Sequence, residues 1–429
     1  MKIKSLNTTQ QNFNKKLSEH LSFKQKGYQD VELVVDRILK NIQINDDKGL
    51  LSLIKKHDNT SYKKISNSIV TQREIVEAYS FIPKKIIQNL KKAIKNIKYF
   101  SKQQKLRSWS MNVRGSKLGE KVTPIERVGI YVPGGKASYP STVLMNAIPA
   151  KVAGVKDIIM VCPPINGKLN PLVLVAADLC GVDMIYKFGG AHAIGALAYG
   201  TKSIDPVYKI VGPGNIYVAT AKKKVFGTVG IDSFAGPSEI LIIADQNANP
   251  ELIAMDMFAQ AEHDELAQAI LVSSSNFLIN SVKEKIDTLI KTQPRKNIIH
   301  KSLTSRGLFI KAKNTSEIIK LADSIAPEHL EIFGYDNMKL QNKIHNAGAI
   351  FIGQNSPEVF GDYCAGPNHV LPTSGSAKYA SPLGVYDFLK RTSLMQISKT
   401  HSKELSQTAS ILADCEGLSA HSQSAKLRK

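Results

Sequence analysis

The residues best equipped for chemistry fall in a few short stretches. Glu328 and His329 stand side by side directly after Pro327. Proline fixes one backbone dihedral and pushes the preceding residue out of helical geometry, so the spacing predicts a turn that presents both side chains. Their ordinary pKa values bracket mildly acidic pH, which suits a reaction that deprotonates an alcohol and activates a water. The same pair is also what a solvated surface turn contains, because charged residues are mostly exposed. Gln260 and His263 lie three apart at the end of a predicted helix, where they share a face and could share a metal or belong to ordinary helix surface. Asp362 and His369 stand in a glycine-punctuated loop, and Glu416 with His421 adds a further carboxylate and imidazole near the end. Nitrogen and oxygen donors without thiolates would make a catalytic zinc site, not a structural one.

These residues need a scaffold, and the pattern supplies one. Residues 30–58 and 71–100 carry apolar side chains at spacings of three and four, the pattern of amphipathic helices, with the first stretch broken around Asn45-Asp46-Asp47. Residues 109–123 lose that period and predict a short strand pair or loop. From Arg127 onward, short apolar runs alternate with helical segments. Strands are expected at 128–132, 157–161, 184–188 and 209–211, and again at 239–244, 268–273, 308–311 and 349–352, with helices between them. Such alternation predicts parallel sheets with both faces covered. Two successive units suggest an internal duplication, although no strong sequence repeat links them.

Glycine clusters follow several of these strands: Pro133-Gly134-Gly135, Gly189-Gly190-Ala191, Gly212-Pro213-Gly214-Asn215 and Gly236-Pro237-Ser238-Glu239. Open α/β sheets bind ligands at the carboxyl ends of their strands, where glycine admits a phosphate close to the backbone. A nucleotide-like cofactor fits, and so does plain turn formation. The G-x-G-x-x-G fingerprint is absent, so the glycines by themselves do not name NAD.

Composition narrows the class. With 43% hydrophobic and 22% charged residues, the 429-residue chain has ordinary globular composition. No long apolar run or secretory signal stands out, and a cytoplasmic, membrane-free protein is expected. Cys162, Cys180, Cys364 and Cys415 are scattered without a C-x-x-C pair, which predicts reduced and mostly buried thiols. The net charge of +21 raises nucleic acid as a partner. Against it, the lysines are dispersed, outnumber the arginines and have no interleaved aromatics for stacking. A basic surface could instead concentrate an anionic cofactor.

Taken together, the stretch from Arg127 to Gly135, Gly212-Pro213-Gly214-Asn215, Ala235 to Glu239, Gln260-Ala261-Glu262-His263, Pro327-Glu328-His329-Leu330, Gly361-Asp362-Tyr363 with Asn368-His369, and Glu416-Gly417-Leu418 through His421 resemble the histidinol dehydrogenase family. The resemblance covers nearly the whole chain in the family's order. It implies a zinc-dependent, four-electron oxidation of L-histidinol to L-histidine through a bound aldehyde, with reduction of two NAD, the last step of histidine biosynthesis. On that pattern Gln260, His263, Asp362 and His421 would hold one Zn2+, with His421 coming from the partner subunit of a homodimer. Ser238, His329 and Glu416 would complete the substrate site beside those ligands. Glu328 and His329 would be catalytic, and Tyr131, His192 and Asn215 would contact NAD. His369 is read as support behind the metal site or as loop packing. The family usually has glutamine where this chain has His192, which predicts NAD affinity that depends on pH. The alternative is a paralogous zinc and NAD dehydrogenase of another polar alcohol.

The implied division is an N-terminal helical region over 1–122, packing on the second α/β unit. A Rossmann-like NAD-binding unit follows over 123–236, and a second Rossmann-like unit with the zinc and catalytic residues over 237–376. A C-terminal tail over 377–429 would reach the partner's site.

Overall fold

The chain begins on a short strand, β1 (Lys4–Asn7), and runs through helices to a hairpin of β2 (Trp109–Val113) and β3 (Ser116–Pro124). The structure is a computed structural model that describes residues 1–22, 28–134, 139–233, 236–334 and 336–428. Gly135 and Ala235 of the glycine motifs lie outside the described residues. Next come β4 (Arg127–Tyr131), β5 (Asp157–Val161), β6 (Met184–Tyr186), β7 (Lys209–Val211) and β8 (Gly230–Ile231). After them follow β9 (Glu239–Ala244), β10 (Gln268–Ser273), β11 (Leu308–Lys311), β12 (His329–Phe333) and β13 (Ala349–Ile352). The strand β14 (Leu389–Gln396) precedes two closing helices, Lys399–Cys415 and Ser419–Lys426.

Two parallel sheets result, one in the order β6-β5-β4-β7-β8 and one in the order β1-β11-β10-β9-β12-β13. Leaving β1 aside, both place their first strand at the centre, the next two on one side and the last two on the other. This shared order is the structural form of the suspected duplication. The central strands are largely apolar because both faces are covered. In β9, Ile240, Ile242 and Ala244 enter one core, and Leu241 and Ile243 enter the core on the opposite face. Ile158 and Met160 of β5 are likewise divided from Ile159 and Val161. A third, antiparallel sheet joins β14 to β3 and β2.

The predicted break in the first long helix occurs at Asp46, where Tyr28–His57 kinks through φ 55° and ψ −137°. The expected packing of the whole N-terminal region on the second unit needs correction. β1 joins β11 of the second sheet, but Tyr28–His57 packs on Gly190–Tyr199 and Ile216–Val225 of the first unit, and Lys84–Gln103 packs on Pro140–Ala153. The reason is the apolar stripe of Val35, Ile38, Leu39 and Ile42, which completes the core under Ile194 and Leu197. Glu328 and His329 also differ from expectation. Ala326 takes a left-handed φ of 50° before Pro327, so a turn is present, but His329 already opens β12 and pairs with Ile240 and Ala349. Full burial of Leu330 and Ile332 favours strand over loop there. Cys162 and Cys180 are buried, whereas Cys364 and Cys415 are exposed, and all are free thiols. No helix among the described residues is long and apolar enough to cross a membrane.

Candidate active site

A cavity of about 380 Å³ opens between the two sheets, lined by Gly212 to Asn215 on one side and by Ser238, His263, Glu328, His329, Asp362 and His369 on the other. The sheets meet it with opposite ends. Gly212 follows the carboxyl end of β7, as ligand sites of such sheets require, but Ser238 and His329 stand at the amino ends of β9 and β12. The expectation that the glycine clusters follow strands therefore holds for Gly212-Pro213-Gly214-Asn215, whereas Gly236-Pro237-Ser238-Glu239 leads into β9. In the second unit, the helix Pro250–Ala261 runs back from the carboxyl end of β9 and delivers Gln260 and His263 to the amino end.

His329 is 3% exposed, and its Nδ1–H donates to the Glu239 carbonyl at 3.0 Å. That bond assigns the tautomer, leaving the Nε2 lone pair free. Nε2 is buried without a hydrogen-bond partner and lies 3.8 Å from Asp362 Oδ1. Burial, reinforced by His263 and His369 and opposed by the Glu239 bond, lowers the His329 pKa to about 3, so the ring stays neutral. Glu328 lies beside it, with Oε2 3.7 Å from His329 Nδ1 and accepting the Glu239 N–H at 2.8 Å. Burial, aided by the Glu239 and Asp362 carboxylates, holds the Glu328 pKa well above the usual range despite that bond. A neutral imidazole with an open lone pair beside a carboxyl of raised pKa is a pair of proton acceptors.

Around them gathers an excess of buried acid. Glu358 is held well above the ordinary range by burial and by Asp362, Glu331 and Glu328, and burial raises Asp362 to about 7. Such a group of carboxyls calls for a cation, whose charge would reverse these shifts. Ligand atoms of His263, Glu358 and Asp362 lie within 4.8 Å of one another, with His263 the exposed member. Turned so that its nitrogen faces the acceptors, the wholly buried Gln260 amide donates to Glu358 Oε1 at 3.0 Å and Oε2 at 3.1 Å. Its nitrogen is also 3.2 Å from His329 Nδ1, whose proton is already committed to Glu239. An all-nitrogen-and-oxygen donor set with an orphaned buried imidazole nitrogen beside it fits a catalytic divalent metal. His369 donates from Nδ1 to the Asp362 carbonyl at 3.0 Å, and burial lowers its pKa to about 4.

The first-sheet side is built from backbone. Gly212 sits at φ 109°, and a Cβ there would fall 2.2 Å from the Tyr131 carbonyl, so only glycine fits. Its carbonyl accepts from Lys222 Nζ at 2.9 Å and its N–H donates to Asp232 Oδ2 at 2.7 Å, while Lys222 and Asp232 pair with each other. Asn215 caps the helix Ile216–Val225 through the N–H groups of Tyr217 and Val218, which leaves its amide nitrogen free of the cap. Tyr131 and His192 are enclosed and do not line the cavity. The Tyr131 hydroxyl accepts the Gly190 N–H at 3.1 Å. His192 is 1% exposed, with Nε2 2.8 Å from Asp58 Oδ2, the same oxygen that receives the Gly189 N–H at 3.4 Å. Both residues thus brace the Gly189-Gly190 turn.

Glu416 and His421 are exposed on the C-terminal helices, and among the described residues neither lines the cavity nor joins the cluster. Glu358, Asp58 and the Lys222–Asp232 pair escape the sequence reading. A signal existed for Glu358: it follows Pro357 and precedes Asp362 by four, one helical turn on the same face.

A polar cleft between two parallel sheets, carrying paired proton acceptors and a nitrogen-and-oxygen donor cluster, defines an enzyme of the parallel α/β class. A family model described as histidinol dehydrogenase matches residues 21–429. Histidinol dehydrogenase of Nitrosomonas europaea is 48% identical over 429 residues, covering 100% of this chain and 99% of its own. That of Nitrosospira multiformis is 50% identical, covering 99% and 97%. The crystal structure of histidinol dehydrogenase from Elizabethkingia anophelis superimposes with a TM-score of 0.93 at 33% identity, over 99% of this chain and 98% of that one. The chain belongs to the histidinol dehydrogenase family.

Proposed function

We propose that the protein oxidises L-histidinol to L-histidine in two steps through a bound histidinaldehyde, reducing two NAD and depending on one Zn2+ per subunit, as the last step of histidine biosynthesis in the cytoplasm. The observation that carries this reading is His329, whose Nδ1–H is tied to Glu239 and whose Nε2 stands buried, neutral and unpartnered in the cavity. His329 Nε2 takes the alcohol proton as hydride leaves the carbinol carbon for the first NAD, giving the aldehyde. Glu328 takes a proton from the water that adds to the aldehyde, a role its raised pKa suits. His329 serves again as the hydrated aldehyde loses its second hydride. Gln260, His263 and Asp362 would hold the zinc, which supplies a fixed positive centre that orients the substrate's imidazole and amine. Ser238, which lines the same cavity, would contact the substrate. NAD would lie along Gly212 to Asn215 and the turn braced by Tyr131 and His192.

Glu416 and His421 would complete the site of a partner subunit. What supports a homodimer is their exposure together with that of Ile411, Leu412, Leu418 and Leu427 on the same tail, apolar side chains that a partner could cover. The direct test counts NADH released per L-histidinol consumed, before and after chelation and after zinc is restored. Two NADH per histidinol, lost and regained with zinc, is the expected result. Zinc-loaded protein that leaves histidinol untouched would instead favour a paralogous dehydrogenase of another polar alcohol.

A further inference from the structure

We infer that Glu358 is a positioning residue that fixes the orientation of the Gln260 amide and so presents the Gln260 oxygen to the metal, an inference that rests on the metal-dependent reading above. A carboxamide fills nearly the same space in either of its two flips, so its neighbours decide which end faces which way. Gln260 is wholly buried, so its protein neighbours set its orientation. With the cation's charge beside it Glu358 is ionised and only accepts, and both of its oxygens lie at hydrogen-bond distance, 3.0 and 3.1 Å, from the amide nitrogen. With the nitrogen held there, the oxygen occupies the other branch of the amide and is the ligand atom.

Glu358 is itself fixed. Its N–H donates to Glu331 Oε1 at 2.8 Å, and Glu331 shares a side-chain hydrogen bond with Asp256, which stands one helical turn before Gln260. Asp256, Glu331, Glu358 and Gln260 therefore form a circuit that leaves the helix Pro250–Ala261 and returns to it. Glu358 also opens the helix that carries Asp362, so one short element supplies a metal ligand and the group that orients another. The rival role for Glu358 is direct ligation, since its carboxylate lies within 4.8 Å of the ligand atoms of His263 and Asp362.

A double-mutant cycle separates the two. Zn2+ affinity is measured by chelator competition, and the visible absorption of the Co2+-loaded protein is recorded, for wild type, Glu358→Gln, Gln260→Ala and the double variant. Each single change is expected to weaken Zn2+ binding about 10–100-fold, the usual effect of disturbing groups that orient a metal's ligands. Glu358→Gln should also shift the Co2+ bands, and in the Gln260→Ala background it should cost nothing further. Losses that multiply in the double variant would overturn the inference, as would unchanged affinity and spectrum in Glu358→Gln. A wild type that binds neither Zn2+ nor Co2+ would overturn the metal-dependent reading and this inference with it. If Glu358→Gln does not fold, Glu358→Asp, which keeps the charge and withdraws it by one methylene, replaces it in the same cycle.

Discussion

Replacing Lys222 with Met should destabilise the protein by about 3–5 kcal/mol, the cost of breaking a buried ion pair so that one charge is left without its partner. The magnitude follows from the setting. The Lys222 and Asp232 side chains are 3% and 4% exposed, so solvent screens neither of them. Lys222 Nζ also supplies the hydrogen bond to the Gly212 carbonyl, and Asp232 would remain on the Gly212 N–H as a buried carboxylate without a counter-charge. Methionine fills much of the same volume, so cavity formation contributes little. Urea unfolding followed by circular dichroism reads the loss as a lower midpoint at unchanged slope. NAD affinity should fall as well, because Gly212 to Asn215 lose their anchor. Replacing both partners, Lys222→Met with Asp232→Leu, should recover most of the stability, since apolar pairs often substitute for buried ion pairs without loss. A single-variant loss below about 1 kcal/mol would refute the reasoning, for it would mean that the pair is solvated and that the Gly212 turn stands without it.

Glu328→Gln should slow the conversion of aldehyde to acid more than that of alcohol to aldehyde, whereas His329→Asn should slow the alcohol step by roughly 10²–10⁴-fold. Stopped-flow traces starting from histidinol and from histidinaldehyde separate the two halves, and equal slowing of both by Glu328→Gln would contradict the division of labour. Burial raises the Glu239 pKa to about 7, above the ordinary glutamate value of 4.5, so the protonated form is favoured in the folded state. The stability this represents is fully present below about pH 4.5 and is lost as pH rises through about 7. Glu239→Gln should therefore gain on wild type by roughly 3 kcal/mol between pH 4.5 and pH 8 in urea unfolding, and a pH-independent difference would refute it. If NAD affinity depends on pH through His192, calorimetric titrations of His192→Gln should lose that dependence, and identical profiles in the two proteins would dismiss the link.

The strands were legible wherever both faces are apolar. After a single acidic residue at its start, each of β5 and β9 is an apolar run, Ile158 to Val161 and Ile240 to Ala244, and a pattern of that kind has few other uses. β12 was not, because it begins with His329 and carries a buried Glu331, residue types that pattern reading assigns to the surface. Only the pairing of β12 with β9 and β13 makes a strand of it. At the site, Gln260, His263, Asp362 and His329 could be singled out by type and spacing, but their convergence depends on a helix running back along its sheet, which local sequence does not encode. Glu358 went unseen because a lone glutamate after proline looks like an ordinary helix start. Asp58 went unseen because it is far in sequence from the turn it holds, and only the packing of the first long helix on Gly190–Tyr199 brings it there.

The end-to-end meeting of the two sheets has an electrical consequence. On the first-sheet side, the helix Ile216–Val225 presents its N-terminus at the cleft, where its summed peptide dipoles place partial positive charge. On the other side, Pro250–Ala261 arrives with its C-terminus, the partially negative end, next to His263 and the buried carboxyls. Two sheets of the same strand order meeting by opposite ends thus give a single cleft a built-in voltage. Its positive pole suits the phosphates of a dinucleotide, and its negative pole suits a metal ion and an ammonium group. A charged ligand drifting into such a field is turned before it touches anything, so the opposed arrangement of the two sheets acts as a compass for what binds between them.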